Sequence, residues 1–275
     1  DELAGNLQSL DEIFDNVAYT KRWYANIFTA IPDYSGIVAA EGNVTGFKNP
    51  WAGMCDELTV GYGDNKLYNK TEKNAANMGF HRWGNCYKQI RQANIFLANA
   101  KPIAANVRFM RAYYHYLLFE QYGPIPLVKD AIYERDDDLD IPRSPIDEII
   151  AYIDQELKEV SNELSQEALH EDDQHNAWPT KGVALAVRAK LWVYAASKLF
   201  NGEYKEALSI TNPDGQRLFP DKDPGKWEKA VSALKDFMTF AEDENNYELL
   251  ENEENPSQAL YDLFQTYNRE IILAT

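Results

Sequence analysis

Apolar residues recur through this chain at intervals of three and four, the spacing that gathers them on one face of an α-helix. The clearest run is Ile146, Ile149, Ile153, Leu157, Val160 and Leu164, which keeps close to heptad spacing. Ser144 ahead of it is a good N-cap, Pro145 suits the first helical position, and Asp147 and Glu148 suit the positive end of the helix dipole. The same periodicity predicts a helix through Ile13, Val17, Tyr24, Ile27 and Phe28, ended by Pro32. It predicts another over residues 74–100, with Trp83, Tyr87, Ile90, Ala93, Asn94 and Leu97 on one face, and a third over 106–122, stopped by Gly123 and Pro124. A fifth starts at a Thr180 cap and runs to Phe200. A sixth, begun by Asp223 and Pro224, carries Trp227, Ala230, Val231, Leu234 and Phe237. The fold class is mostly α.

The 180–200 helix is rich in small residues (Gly182, Ala184, Ala186, Ala189, Ala195, Ala196), which let helix axes approach closely. Small faces set against large aromatics suggest tetratricopeptide-like stacked helical hairpins, although the period is irregular and no 34-residue signature repeats. We read residues 1–275 as a single helical domain with long irregular loops. Asn212, Pro213, Asp214 and Gly215 make a turn-rich segment before the last helix. Residues 33–73 differ from the rest: glycines, asparagines and aromatics replace the helical pattern. Long loops of that kind are usually functional.

Charge removes one class of partner. With 27 Lys and Arg against 44 Asp and Glu, the net charge is −17, which repels phosphate backbones and disfavours nucleic acid. A neutral sugar is not penalised by it. Tyr (17), Phe (12) and Trp (6) are abundant, and rings of this kind serve helix cores and sugar-stacking platforms equally well. Cys55 and Cys86 show no metal-binding spacing and the four histidines form no HExxH, so no metal or cofactor is expected. Whether the two cysteines are bonded is open from sequence. No apolar run reaches the roughly 20 residues of a membrane span. The chain begins at Asp1 without an initiator Met and stops in an apolar stretch at Thr275, which reads as a processed or trimmed piece.

Several segments in order resemble the SusD/RagB family of outer-membrane nutrient-binding lipoproteins. WGNCYKQIRQANIFL (83–97) is similar to that family's W-x3-Y-x2-I-x2-A-N-x2-L helix. RFMRAYYHY (108–116) followed by YGPIPLV (122–128) resembles its R-F-L-R-A-Y-Y core and the Y-G-x-x-P-L-V turn after it. PRS (142–144) looks like its P-R-x-[ST] helix start, and TKGVALAVRAKLWVYA (180–195) like its small-residue helix. Trp227 to Ala230 and Arg269 to Ile271 fit later landmarks. The likeness runs from about Leu7 to the end, so the expected fold is SusD-like, in a truncated N-terminal form. Two departures stand out. Only residues 98–107 separate the first two motif helices, and the family's lipidated N-terminal Cys and C-terminal half are absent.

The resemblance implies a cell-surface, lipid-anchored protein without enzymatic activity. It would capture oligosaccharides and pass them to a SusC-like TonB-dependent outer-membrane transporter; some members handle peptides instead. Arg108, Arg111, Tyr113 and Tyr122 sit at helical spacing and read as architecture. Sugar capture needs flat rings for the C–H face and planar polar groups for the hydroxyls, which Trp51, Tyr62, Tyr68, Asn43, Asn65, Asp64 and Lys66 supply within loop 33–73. Trp51 could equally plug that loop onto the helices. The acidic runs Asp136–Asp140 and Glu171–Asp173 could hold calcium but lack EF-hand spacing, so a solvated loop is the better reading. Two other functions fit the composition: a tetratricopeptide-like scaffold for peptides, and an α-helical glycoside hydrolase, although no motif singles out a pair of carboxylates.

Overall fold

The computed structural model describes residues 9–32, 81–100, 102–134, 136–167, 178–243, 246–252, 254–265 and 267–273. The chain divides into two compact units: residues 1–29 with 85–274, and residues 30–84 with Thr275. The described residues hold eight α-helices: α1 (Leu10–Asp15), α2 (Val17–Ile27), α3 (Trp83–Asn99), α4 (Ala104–Tyr122), α5 (Ile146–Val160), α6 (Lys181–Ala196), α7 (Gly225–Glu242) and α8 (Pro256–Leu263). Among these residues there is no strand, only two isolated bridges, Ser165 with Thr180 and Thr211 with Arg217.

The first predicted helix is two helices broken at Asn16. The Asn16 side chain turns back on the chain, and its Oδ1 accepts from the Ala18 and Tyr19 amides at 2.9 and 3.3 Å. This local bond competes with continuous helix and starts α2 afresh. Upstream, Ser9 and Glu12 cap α1 reciprocally, with Glu12 N to Ser9 Oγ at 3.2 Å and Ser9 N to Glu12 Oε2 at 2.8 Å.

Helices α4 to α7 pack each on the next in chain order, as stacked hairpins require. Helix α4 lies deepest: Val107, Phe109, Met110, Ala112, Tyr114, Tyr116, Leu117, Leu118 and Phe119 are all buried, on every side of the helix. Gly123, at φ 69°, ends it in a conformation that glycine adopts at little cost. On α5 the whole predicted stripe, Ile146, Ile149, Ile153, Leu157 and Val160, is buried, and Leu164 just beyond it. Each such side chain contributes about 1.5–3 kcal/mol relative to exposure.

Ser144 is not the cap of α5. The helix starts at Ile146 after Pro145, with no side-chain cap; the Ile146 amide instead donates to the Leu218 carbonyl at 3.0 Å. Tertiary backbone bonding has taken the place of the local cap, and Ser144 N donates to Ile125 O at 2.8 Å. At α6 the sequence reading holds, because Thr180 Oγ1 accepts from Val183 N at 3.5 Å.

Ion pairs bind this stack laterally. Arg188 on α6 donates from Nε to Asp154 of α5 at 2.6 Å and from Nη1 to Asp236 of α7 at 2.7 Å. Trp192 Nε1 donates to the same Asp154 oxygen at 2.6 Å, while Lys229 of α7 lies 4.8 Å above the Trp192 ring. The small face of α6 also accommodates a loop: a Cβ built on Gly182 would meet the Tyr247 ring at 2.5 Å.

Candidate functional site

The residues expected to touch ligand, Asn43, Trp51, Tyr62, Asp64, Asn65, Lys66 and Tyr68, all lie outside the described residues, as do Cys55 and the Glu171–Asp173 run. What the structure describes is the frame on either side of that segment. Trp23 Nε1 on α2 donates to the Gln92 carbonyl on α3 at 3.1 Å. Gln89 Nε2 on α3 donates to Thr29 Oγ1 at 2.8 Å, and the Tyr114 hydroxyl on α4 donates to the Ile27 carbonyl. Aromatic contacts reinforce the clamp, with Phe14 5.1 Å from Trp23 and 5.6 Å from Phe96, and Tyr24 5.1 Å from Trp178. These contacts tie α2 and the turn after it to α3 and α4.

The motif residues are architectural. Tyr87, Arg91 and Asn94, spaced by four and three, put polar groups on one face of α3. That face holds the backbone of the loop after α4. Tyr87 OH donates to Pro126 O at 2.7 Å, Arg91 Nε to Tyr133 O at 3.0 Å, and Asn94 Nδ2 to Lys129 O and Ala131 O at 3.0 and 2.8 Å. Lys129 in that loop has φ 49°, a conformation the surrounding bonds must hold.

Asn94 also connects the loop to charge. Its Oδ1 accepts from Arg111 Nη1 at 3.1 Å, and Arg111 Nη2 donates to Glu156 on α5 at 2.8 Å. Arg108 shares Glu156 at 3.0 Å and reaches Glu159 and Glu163 at 2.6 and 3.1 Å. One turn on from Arg111, His115 is fully buried, its Nδ1 2.9 Å from the Arg111 carbonyl. A carbonyl only accepts, so Nδ1 carries the proton. Burial, with the Arg111 charge beside it, pushes His115 down to about 4. Burial pushes the neighbouring Tyr152 phenol up to about 12.

The acidic loop is solvated, as its composition suggested. Asp136 to Asp140 are exposed, and two of the carboxylates bond to the loop's own amides: Asp137 accepts from Glu134 N at 2.7 Å and Asp138 from Asp140 N at 2.9 Å. Among the described residues no three His, Cys, Asp or Glu side chains converge as a metal site, and no helix is long and apolar enough to cross a membrane. Sequence reasoning passed over one feature. A depression of about 400 Å³ at α8 is lined by apolar residues, among them Leu250, Pro256, Ala259 and Leu263, and by Glu251 and Glu270. Nearby in sequence, Tyr261, Phe264 and Tyr267 recur every third residue and are exposed, a signal visible in the sequence itself.

The sequence matches the SusD-like family, described as starch-binding and associating with the outer membrane, over residues 56–193. Among solved structures, the chain is similar to one named BT4246 (24% identity, TM-score 0.66), covering 88% of this chain and 42% of that one. A SusD-like protein of Bacteroides fragilis NCTC 9343 is similar at 15% identity and TM-score 0.57, over 87% of this chain and 40% of its own. A laminarin-binding SusD-like protein is similar at 15% identity and TM-score 0.54, over 92% and 48%. These likenesses establish the fold, and the chain spans less than half the length of each of these structures. Among curated proteins nothing matches the sequence.

Proposed function

The chain belongs to the SusD-like family, described as starch-binding and associating with the outer membrane, and on that premise we propose that it captures neutral oligosaccharides at the cell surface without transforming them. The observation that carries this reading is the extent of the family match. It runs from residue 56 through α3, α4 and α5 and most of α6, the helices whose motif residues build the frame described above. The match to a laminarin-binding neighbour supports a glycan as the ligand class.

In this reading the segment after α2 supplies the ligand contacts. Trp51, Tyr62 and Tyr68 stack on the C–H faces of sugar rings, while Asn43, Asp64, Asn65 and Lys66 bond to hydroxyls. The captured glycan passes to a SusC-like TonB-dependent transporter, and a lipid on an N-terminal cysteine tethers the protein to the outer membrane. A charge of −17 suits a neutral ligand and disfavours an anionic one.

Affinity gels and titration calorimetry against starch, laminarin and other neutral glycans, alongside a peptide library, test the reading. Retardation by a glycan with no release of reducing sugar is the expected result. Release of reducing sugar would sink the non-catalytic part of it. Binding to peptides alone would move the ligand class and leave the family membership in place.

A further inference from the structure

Arg111 Nε, His115 Nε2 and the Tyr152 hydroxyl are among the buried polar atoms that have no protein partner. They belong to neighbouring side chains. Arg111 and His115 lie one turn apart on α4, and the Tyr152 ring of α5 meets the His115 ring edge-on at 5.2 Å between centroids. A buried polar group without a partner is costly, and three in one place call for a common explanation.

Their chemistry selects the ligand. Arg111 Nε–H and the Tyr152 O–H are donors, whereas His115 Nε2, with the proton on Nδ1, is a bare acceptor. An anion would meet the donors but face the Nε2 lone pair and the Glu156 carboxylate. A cation would be repelled by Arg111. Water accepts two hydrogen bonds and donates one here, within the two to four partners a buried water needs. We propose that a resident internal water bridges Arg111, His115 and Tyr152. It thereby extends the Asn94–Arg111–Glu156 network that joins α3, α4 and α5 to the loop after α4.

Tyr152→Phe removes one of the three groups and tests the idea by the sign of its effect. If the hydroxyl bonds to a held water, the folding equilibrium constant falls about fivefold, the worth of one ordinary hydrogen bond. If the hydroxyl is simply buried and unpaired, deleting it leaves the constant unchanged or raises it, and the proposal fails. The same substitution in a His115→Phe background should have a smaller effect if both groups share one water, and an undiminished effect counts against sharing. A high-resolution crystal structure of the full chain gives a second readout that does not depend on variant stability. Density for a water within hydrogen-bond reach of all three atoms supports the site, and its absence from a well-ordered interior overturns it.

Discussion

His115 makes the stability of this protein fall with acid as the pH drops from about 6.5 towards 4. In the folded chain it is fully buried, bonds to the Arg111 carbonyl, packs edge-to-face with Tyr152, and has Arg111 and Glu156 among the charges around it. Burial outweighs the carboxylate, so its pKa lies at about 4 against an ordinary 6.5. The sign follows from proton counting. Between those values the unfolded chain binds the proton and the folded chain does not, so stability rises with pH. It is complete above 6.5 and is lost as pH falls towards 4. From about pH 7 to about pH 5 this one group removes about 2 kcal/mol, with a full loss of about 3 kcal/mol in stronger acid. Chemical denaturation of the wild type and of His115→Asn at both pH values isolates the effect, because every other titrating group is common to the pair. The variant is less stable throughout, but its stability should change by about 2 kcal/mol less between the two conditions. Equal changes in the two proteins would refute the claim that burial keeps this histidine neutral.

Three further outcomes follow from particular contacts. Gly202, at φ 71°, would place a Cβ 2.3 Å from the Lys222 amide nitrogen and 2.6 Å from the Asp221 carbonyl carbon, both main chain. Gly202→Ala should therefore cost at least about 2 kcal/mol, seen as a lower melting temperature, and an unchanged one would count against the geometry. Gly182→Ala sets two effects against each other. Helix propensity alone favours alanine by about 1 kcal/mol, but the new Cβ collides with the Tyr247 ring, stacked 5.7 Å from Phe237, so thermal unfolding should show net destabilisation. For the proposed function, Trp51→Ala and Tyr62→Ala should each weaken glycan binding about tenfold or more with the circular dichroism spectrum unchanged; undiminished affinity would place the ligand elsewhere.

The helices were legible because burial on one face leaves a periodic record, clearest in Ile146, Ile149, Ile153, Leu157 and Val160 of α5, and because Gly123 ends α4 where the sequence breaks; the 180–200 helix stops at Ala196, short of the expected Phe200. Boundaries were less legible, since they depend on partners far away in sequence. Ser144 looks like a cap, yet the Leu218 carbonyl, distant along the chain, takes the first amide of α5. Asn16 shows the opposite. Its side chain breaks a helix that the apolar spacing alone would have continued, and Asn is a residue whose preference for caps could have flagged it. Gly182 was read as a site of close helix approach. The structure places a loop tyrosine there instead, a distinction that periodicity does not carry.

The polar motif residues show why family likeness located the frame more securely than the site. Tyr87, Arg91 and Asn94 bond to carbonyls of a loop, and those acceptors are main-chain atoms present whatever residues the loop contains. The loop can therefore vary in sequence while the α3 side chains that hold it stay the same, so such side chains form readable motifs. Ligand contacts obey the reverse logic: a ring or amide that meets a sugar must follow the shape of that sugar. The residues proposed for that role, Trp51 and its neighbours, accordingly stand out only by residue type in a glycine- and asparagine-rich stretch. Composition alone is the basis of the role proposed for them, whereas frame residues such as Gln89, bonded to Thr29, are placed by contacts to described partners.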